Sequence, residues 1–428
     1  MNIAILAAGA GDMICGSCLR DSAIAMALKQ SGHAVALVPL YTPLRTDGED
    51  IAEAEVFYGG VNVYLQHSSA LFRHTPRAVD WLLDRPGLLK AAGNWGAQTS
   101  PDDVAALTAS IIRGDEGSTR KELHRLIDHL DQHVKPHIVS LPNLMFIGLA
   151  ATVRKRLKVP VVCELTGEDI FLGAMSQEHQ SMLRELIRQR ANHVTKFISA
   201  TGYYANRMAE YLGIPRDRIE VIPTGMSREY LAPAADRANS RPPTVGYMAR
   251  ICPEKGLDRL VDAMLLLKQK PGCEQAKLVA AGYLGARDQK WFDALRGRID
   301  ASLLKDSFTY LGAVDRDQKI GMLDSIDVMS VPTAYEESKG IYILEALARG
   351  VPVVQPEHGA FSELISQTGG GILVPPNDPA ALAETLAKLL GDADHRQRLG
   401  RAGRRAIESS LTEQHMAERL VSVYQALL

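Results

Sequence analysis

Cysteine is scarce, with five in 428 residues at positions 15, 18, 163, 252 and 273. So few and so irregularly spaced, they fit a reducing compartment rather than a disulfide scaffold. Long apolar runs are missing as well: no stretch of roughly 18 such residues offers a membrane span. Charge of one sign is also lacking. At a formal −2, nothing global draws a nucleic-acid backbone or an anionic membrane. The opening Met1-Asn2-Ile3-Ala4-Ile5-Leu6 has no basic region ahead of it and reads as a first strand, not a signal peptide. Short repeats and low-complexity tracts do not occur. What remains is the expectation of a soluble cytoplasmic enzyme.

The composition is that of a globular protein, 46% hydrophobic and 23% charged. The length is too great for one ordinary core and suggests two domains. Strand-like runs alternate with amphipathic helical runs, the pattern of a mostly parallel sheet covered on both faces. The rhythm runs through Asn2–Ala7, Ala34–Val38, Ile138–Leu141, Val159–Val162, Lys196–Ala200 and Ile219–Ile222. A break rich in alanine and proline follows, with the boundary near residues 232–243. The rhythm then restarts with Thr244–Tyr247, Lys277–Ala281, Phe308–Leu311, Val328–Val331 and Val351–Val354. Residues 56–130 fit it poorly. Val56–Leu65 looks like a hairpin, and Trp81–Gly96 and Asp102–His129 are helical in pattern.

The most specific motif is Glu337-Ser338-Lys339-Gly340-Ile341-Tyr342-Ile343-Leu344-Glu345, two glutamates eight apart around a glycine. A loop carries Glu337 toward the carboxyl end of a strand, where ligands bind in open α/β sheets. Gly340 lets the backbone approach a ligand, and the amides after it open a helix and can face an anion. Glu345 lies further along that helix, suited to a ribose diol. Gly350 stops the helix before an apolar strand. The second motif is Gly246-Tyr247-Met248-Ala249-Arg250-Ile251-Cys252-Pro253-Glu254-Lys255-Gly256. Its Arg250 and Lys255 stand ahead of a helix start, where the dipole disfavours cations unless an anion binds there.

Together these motifs resemble the donor-site signature of retaining glycosyltransferases with the GT-B fold, especially glycosyltransferase family 4 and the related glycogen and starch synthases. The resemblance implies two Rossmann-like domains facing across a cleft. The first would be acceptor-side residues 1–235 joined by a final helix 412–428, the second nucleotide-sugar-binding residues 240–411. It implies that Glu337 contacts the transferred sugar and that Glu345 binds the ribose. The amides of Gly340, Ile341 and Tyr342 would face the diphosphate, which Arg250 and Lys255 hold. Ser338-Lys339 and Tyr342 depart from the family pattern of glycine with an aromatic residue, and of proline. Lys339 either adds charge at the phosphates or points to solvent.

At the N-terminus, Gly9-Ala10-Gly11 invites a dinucleotide reading, but Ile14 stands where the third glycine is needed, so NAD and FAD are not expected. By resemblance Gly16 matches the second glycine of a phosphate-facing pair, while Cys15 replaces the first and Met13 stands for a lysine. Arg20, in the first helical turn, reaches into the cleft or makes a surface salt bridge. Cys15 and Cys18 are chemically able to form a redox pair, but two packed small residues fit the loop better. No second Cys/His pair of zinc spacing exists, so no metal is expected. Thr166, Glu168 and Asp169 follow a strand at its carboxyl end and are acceptor or cleft candidates, or a capped helix start. Pro223-Thr224-Gly225 resembles the family's Pro-Asn-Gly turn.

The implied activity is hexosyl transfer from a nucleoside-diphosphate sugar to an acceptor hydroxyl with retention, without cofactor or metal. Nucleic acid and integral membrane partners are not expected. The Val56–Leu65 hairpin and Tyr64–Arg73 resemble the synthase first domain and hint at a glucan or small glycoside as acceptor. Alternatives on the same fold are an epimerase or a pyridoxal-phosphate phosphorylase; a silent sugar-binding protein is another.

Overall fold

The structure is a computed structural model that describes residues 1–9, 16–42, 56–58, 101–233 and 241–428. The expected loop residues Gly11, Met13 and Cys15, most of the Val56–Leu65 hairpin, Tyr64–Arg73 and Trp81–Gly96 lie outside the described residues.

Two compact units form: Met1–Pro223 with Met416–Leu428, and Thr224–His415. Each is built on one parallel six-stranded sheet. In the first unit the strands are β1 (Asn2–Ala7), β2 (Ala34–Pro39), β3 (Ile138–Leu141), β4 (Val161–Leu165), β5 (Lys196–Ser199) and β6 (Ile219–Val221). Their order is β2-β1-β3-β4-β5-β6. These strands are apolar along nearly their whole length because helices cover both faces; β3 and β4 are buried at every position. On one face, the helix Gly16–Gln30 packs Ile24, Ala25 and Leu28 against Ile3 and Ile5. The final helix, Glu413–Leu427, joins that same layer with Met416, Ala417, Leu420 and Tyr424, spaced to fall on one helical face. Burying a side chain such as Met416 or Leu420 is worth about 1.5–3 kcal/mol, which holds the last helix on this unit.

In the second unit the strands are β7 (Thr244–Met248), β8 (Lys277–Ala281), β9 (Phe308–Tyr310), β10 (Val328–Met329), β11 (Val353–Pro356) and β12 (Gly371–Val374). Their order is β12-β11-β10-β7-β8-β9. The chain fills one side of β7 and then returns to fill the other, so the topological switch point lies between β7 and β10. Loops at that point are where open α/β sheets bind ligands. Strand β10 is shorter than the apolar run Val328–Val331 suggests. The Val331 amide donates to the side chain of Gln355, at 3.2 Å, instead of to a neighbouring strand.

The helix Leu257–Leu267 covers this sheet with Leu257, Leu260, Val261, Met264 and Leu267, all fully buried. By contrast, the helix Ile341–Ala348 is buried from Tyr342 onward on every side. No helix among the described residues is long and apolar enough to cross a membrane. Cys163, Cys252 and Cys273 are free and buried.

Candidate active site

The loops that follow β7 and β10 are pressed together at the switch point. Gly256 sits at φ +74°, and a Cβ there would fall 1.9 Å from the Pro332 carbonyl oxygen. Only glycine allows that approach. Next to it, the Ala334 amide donates to the Glu254 carbonyl at 2.8 Å. This contact brings Lys255, from the first loop, onto Glu337, from the second. The Lys255 ammonium donates to Glu337 Oε2 at 2.6 Å. The same oxygen accepts from the hydroxyls of Tyr342 at 3.0 Å and Tyr335 at 3.3 Å. Glu337 Oε1 faces the amides of Ser338 at 3.1 Å and Lys339 at 3.4 Å.

Glu337 is only 6% exposed, which settles its environment against a solvated surface glutamate. Burial alone would push its carboxyl pKa up. The Lys255 charge and hydrogen bonds from Lys255, Tyr342 and the Lys339 amide outweigh burial and hold it at about 2. Burial likewise opposes the charge on Lys255, but the neighbouring Glu337 raises its pKa above the ordinary lysine range. Its ammonium also lies 5.0 Å from the Tyr335 ring centroid and 5.2 Å from that of Tyr342. Burial and the Glu337 charge push the Tyr335 hydroxyl up to about 12 and raise Tyr342 as well. Both phenols therefore stay protonated and donate.

The Glu337 backbone is held from a third loop. The Ala360 amide donates to the Glu337 carbonyl at 2.8 Å. Gly359, at φ +57°, passes so close that a Cβ would stand 2.6 Å from the Glu337 nitrogen and 2.7 Å from its oxygen. No pattern in the sequence marks this glycine.

Beyond Glu337 the chain enters the helix Ile341–Ala348 through Gly340, and no side chain among the described residues caps that end. The first amides of a helix have no partner within it, and here the dipole makes the entrance suited to an anion. Lys339 is 7% exposed; the solvent-facing alternative for it is thereby corrected, since the packed loop encloses the side chain. Arg250, after β7, is exposed, and its carbonyl accepts from the Tyr247 hydroxyl at 3.2 Å.

Glu345 stands in the middle of a helix buried on all sides and is 8% exposed. A carboxylate so placed needs partners. It has two: the Tyr230 hydroxyl donates to Oε1 at 2.7 Å and the Lys319 ammonium to the same oxygen at 3.1 Å. Neither residue carries a recognisable motif. The signal that would have found them is the apolar helix itself, which obliges any acid within it to be satisfied.

In the first unit the candidates are arranged differently. Gly16 opens the helix that follows β1. Arg20 is 7% exposed and pairs with Glu164 at 3.0 Å and Asp21 at 3.3 Å, so the surface salt bridge is corrected to a buried one. Glu168 accepts from the amides of Thr166 at 2.7 Å, Gly167 at 3.0 Å and Leu144 at 3.2 Å. The hydroxyls of Thr166 and Tyr204 add two more contacts at 3.2 Å each. Asp169 takes the Tyr204 hydroxyl at 2.8 Å and Arg207 at 2.6 Å. Both carboxylates are buried and bound to the start of the helix Glu168–Gly173 and its neighbours. Thr166 is the partly exposed member of the three.

Residues 232–406 match the family described as glycosyl transferases group 1, and residues 58–230 match glycosyltransferase family 4. A D-inositol 3-phosphate glycosyltransferase of Nocardia farcinica is 32% identical over 244 residues, 54% of this chain and 53% of that protein. The match thus spans about half the length of that relative. A D-inositol 3-phosphate glycosyltransferase of Paenarthrobacter aurescens is 28% identical over 395 residues, covering 86% of this chain and 93% of its own. The sucrose-phosphate synthase of Thermosynechococcus elongatus has a similar fold, with a TM-score of 0.73 at 17% identity over 99% of this chain and 98% of that one.

Proposed function

We propose, for a chain that belongs to the group 1 and family 4 glycosyltransferases and has their GT-B fold, transfer of a sugar from a nucleoside-diphosphate sugar to an acceptor hydroxyl with retention. The observation that carries this reading is the Lys255–Glu337 pair set beside the uncapped start of the helix Ile341–Ala348. One arrangement offers a cation and helix amides for a diphosphate, together with a buried, ionised carboxylate for the hydroxyls of a sugar.

In this reading the bond between the anomeric carbon and the diphosphate oxygen breaks, and its electrons stay on the phosphate. Arg250, Lys255 and the amides after Gly340 stabilise that developing charge, and no metal is called for. Glu337 orients the sugar ring through its hydroxyls. The acceptor oxygen bonds to the anomeric carbon on the face the phosphate leaves, and its proton passes to the departing phosphate oxygen. Glu345 receives the ribose. The acceptor is a carbohydrate or polyol hydroxyl, the class to which the inositol phosphate in the relatives' names belongs.

The test is to incubate the chain with UDP-, GDP- and ADP-sugars, offering water, D-inositol 3-phosphate or a glucan. Released diphosphate is measured, and the product's anomeric signal is read by NMR. One nucleotide sugar is expected to be consumed, with the donor's anomeric configuration kept. An inverted product, or no release from any of the panel, would overturn the proposal.

A further inference from the structure

We propose that Tyr230 and Lys319 are positioning residues that aim Glu345 at the ribose of the donor nucleotide, and that they set the preference for a ribose bearing both hydroxyls. This rests on the reading of Glu345 as the ribose ligand. The two side chains share one oxygen of that carboxylate, Oε1, at 2.7 and 3.1 Å. The other oxygen, Oε2, has no partner among the described residues. One oxygen is thus pinned by a neutral hydroxyl and an ammonium from different elements, which fixes the plane of the group. The other keeps its acceptor sites for two further donors, as a vicinal diol supplies.

The pin is itself rigid. Tyr230 lies on the short turn Arg228–Leu231 and is 7% exposed. Its carbonyl accepts from Arg349 Nη1 at 3.1 Å, as does that of Ala232 at 2.7 Å. Arg349 in turn grips Asp324 with two hydrogen bonds, at 2.9 and 2.8 Å. It follows directly on the helix Ile341–Ala348, one turn beyond Glu345, so the carboxylate and its pin are fastened to one frame. Lys319 is set by the helix Arg316–Ser325, whose start is locked by the reciprocal Asp315 and Gln318 capping bonds. A residue that only filled space at Tyr230 would not need its hydroxyl on the carboxylate.

The experiment is calorimetric binding of UDP, GDP and ADP to the whole chain, followed by the 2′,3′-dideoxy form of whichever binds. Wild type is expected to favour the ribonucleotide by at least about tenfold. Tyr230→Phe and Lys319→Met are each expected to lose most of that preference, by weakening the ribonucleotide while leaving the dideoxy form nearly unchanged. Melting temperatures confirm that each variant is folded, and the two variants stand in for each other if one is not. If wild type binds both forms equally, or binds none of the three diphosphates, the ribose reading of Glu345 fails and takes the proposal with it. If wild type discriminates and both variants discriminate just as well, the ribose reading stands and the positioning role is refuted.

Discussion

The Lys255 ammonium lies 2.6 Å from the Glu337 carboxylate, joining positions 82 residues apart in the chain. Both groups are largely buried, with side-chain exposures of 14% and 8%. Removing one partner of such a pair strands the other charge, at a typical cost of about 3–5 kcal/mol. Lys255→Met is therefore expected to destabilise the second unit by that order. Adding Glu337→Gln should recover much of it, because no charge is then left unpaired. Urea unfolding of both single variants and the double checks this; strictly additive losses would show that the pair is not coupled.

Five donors surround Glu337, and a carboxylate has about four lone-pair positions. For a sugar hydroxyl to enter, one donor must yield. In the proposed reading a diphosphate offers Lys255 an alternative partner, whereas Tyr342 gains none of that kind. Tyr342→Phe keeps the ring and removes the hydrogen bond to the ionised group. It is expected to lower kcat/KM about tenfold with little change in stability. Steady-state kinetics with the preferred nucleotide sugar decide, and an unchanged kcat/KM would remove Tyr342 from the site.

Much of the fold was legible because parallel strands buried on both faces are written as short apolar runs, Thr244–Met248 and Lys277–Ala281 among them. The GT-B architecture that the motifs implied is the fold found. The acidic pair was legible through Gly340 and the apolar helix after it. The partner of Lys255 was not. Its contact with Glu337 depends on two loops closing over Gly256, and no periodicity encodes a meeting across 82 residues. Thr166, Glu168 and Asp169 carried two readings in the sequence because a capped helix start and a polar ligand site use the same residue types. The contacts of Tyr204 and Arg207 with the buried Asp169 come from a helix some 35 residues further on, which no local pattern encodes.

Gly359→Ala tests how firmly Glu337 is set. Alanine would have to adopt φ +57° with its Cβ against the Glu337 backbone. Such strain costs on the order of 1–3 kcal/mol before any clash is counted. The variant is expected to melt several degrees lower and to lose transfer activity out of proportion to that change. Wild-type turnover in a stable Gly359→Ala protein would contradict the close packing described.

Stability should depend on pH through Glu413. Burial, and then the nearby Glu229, raise its pKa from 4.5 to about 7, against the opposing charges of Arg316 and Arg228. A carboxyl raised on folding binds more protons in the native state. Its contribution is complete below about 4.5 and is lost as the pH climbs to about 7. Glu337, lowered to about 2, behaves oppositely, with its contribution complete above 4.5 and lost only as the pH falls below that value. Between pH 4.5 and 7 His33, whose pKa burial lowers, acts in the opposite sense, so the difference between wild type and a Glu413 variant is what reads Glu413. Unfolding free energy is expected to fall on the order of 2 kcal/mol over that range, and Glu413→Gln should flatten the curve. An equal slope in the variant would assign it elsewhere.

The most direct measurement compares wild type with Lys255→Met in releasing nucleoside diphosphate from the preferred nucleotide sugar, with unfolding curves taken on the same samples. If Lys255 serves the diphosphate as well as Glu337, the folded variant releases none above background. A folded Lys255→Met protein that turns over like wild type would contradict the assignment of this site to sugar transfer.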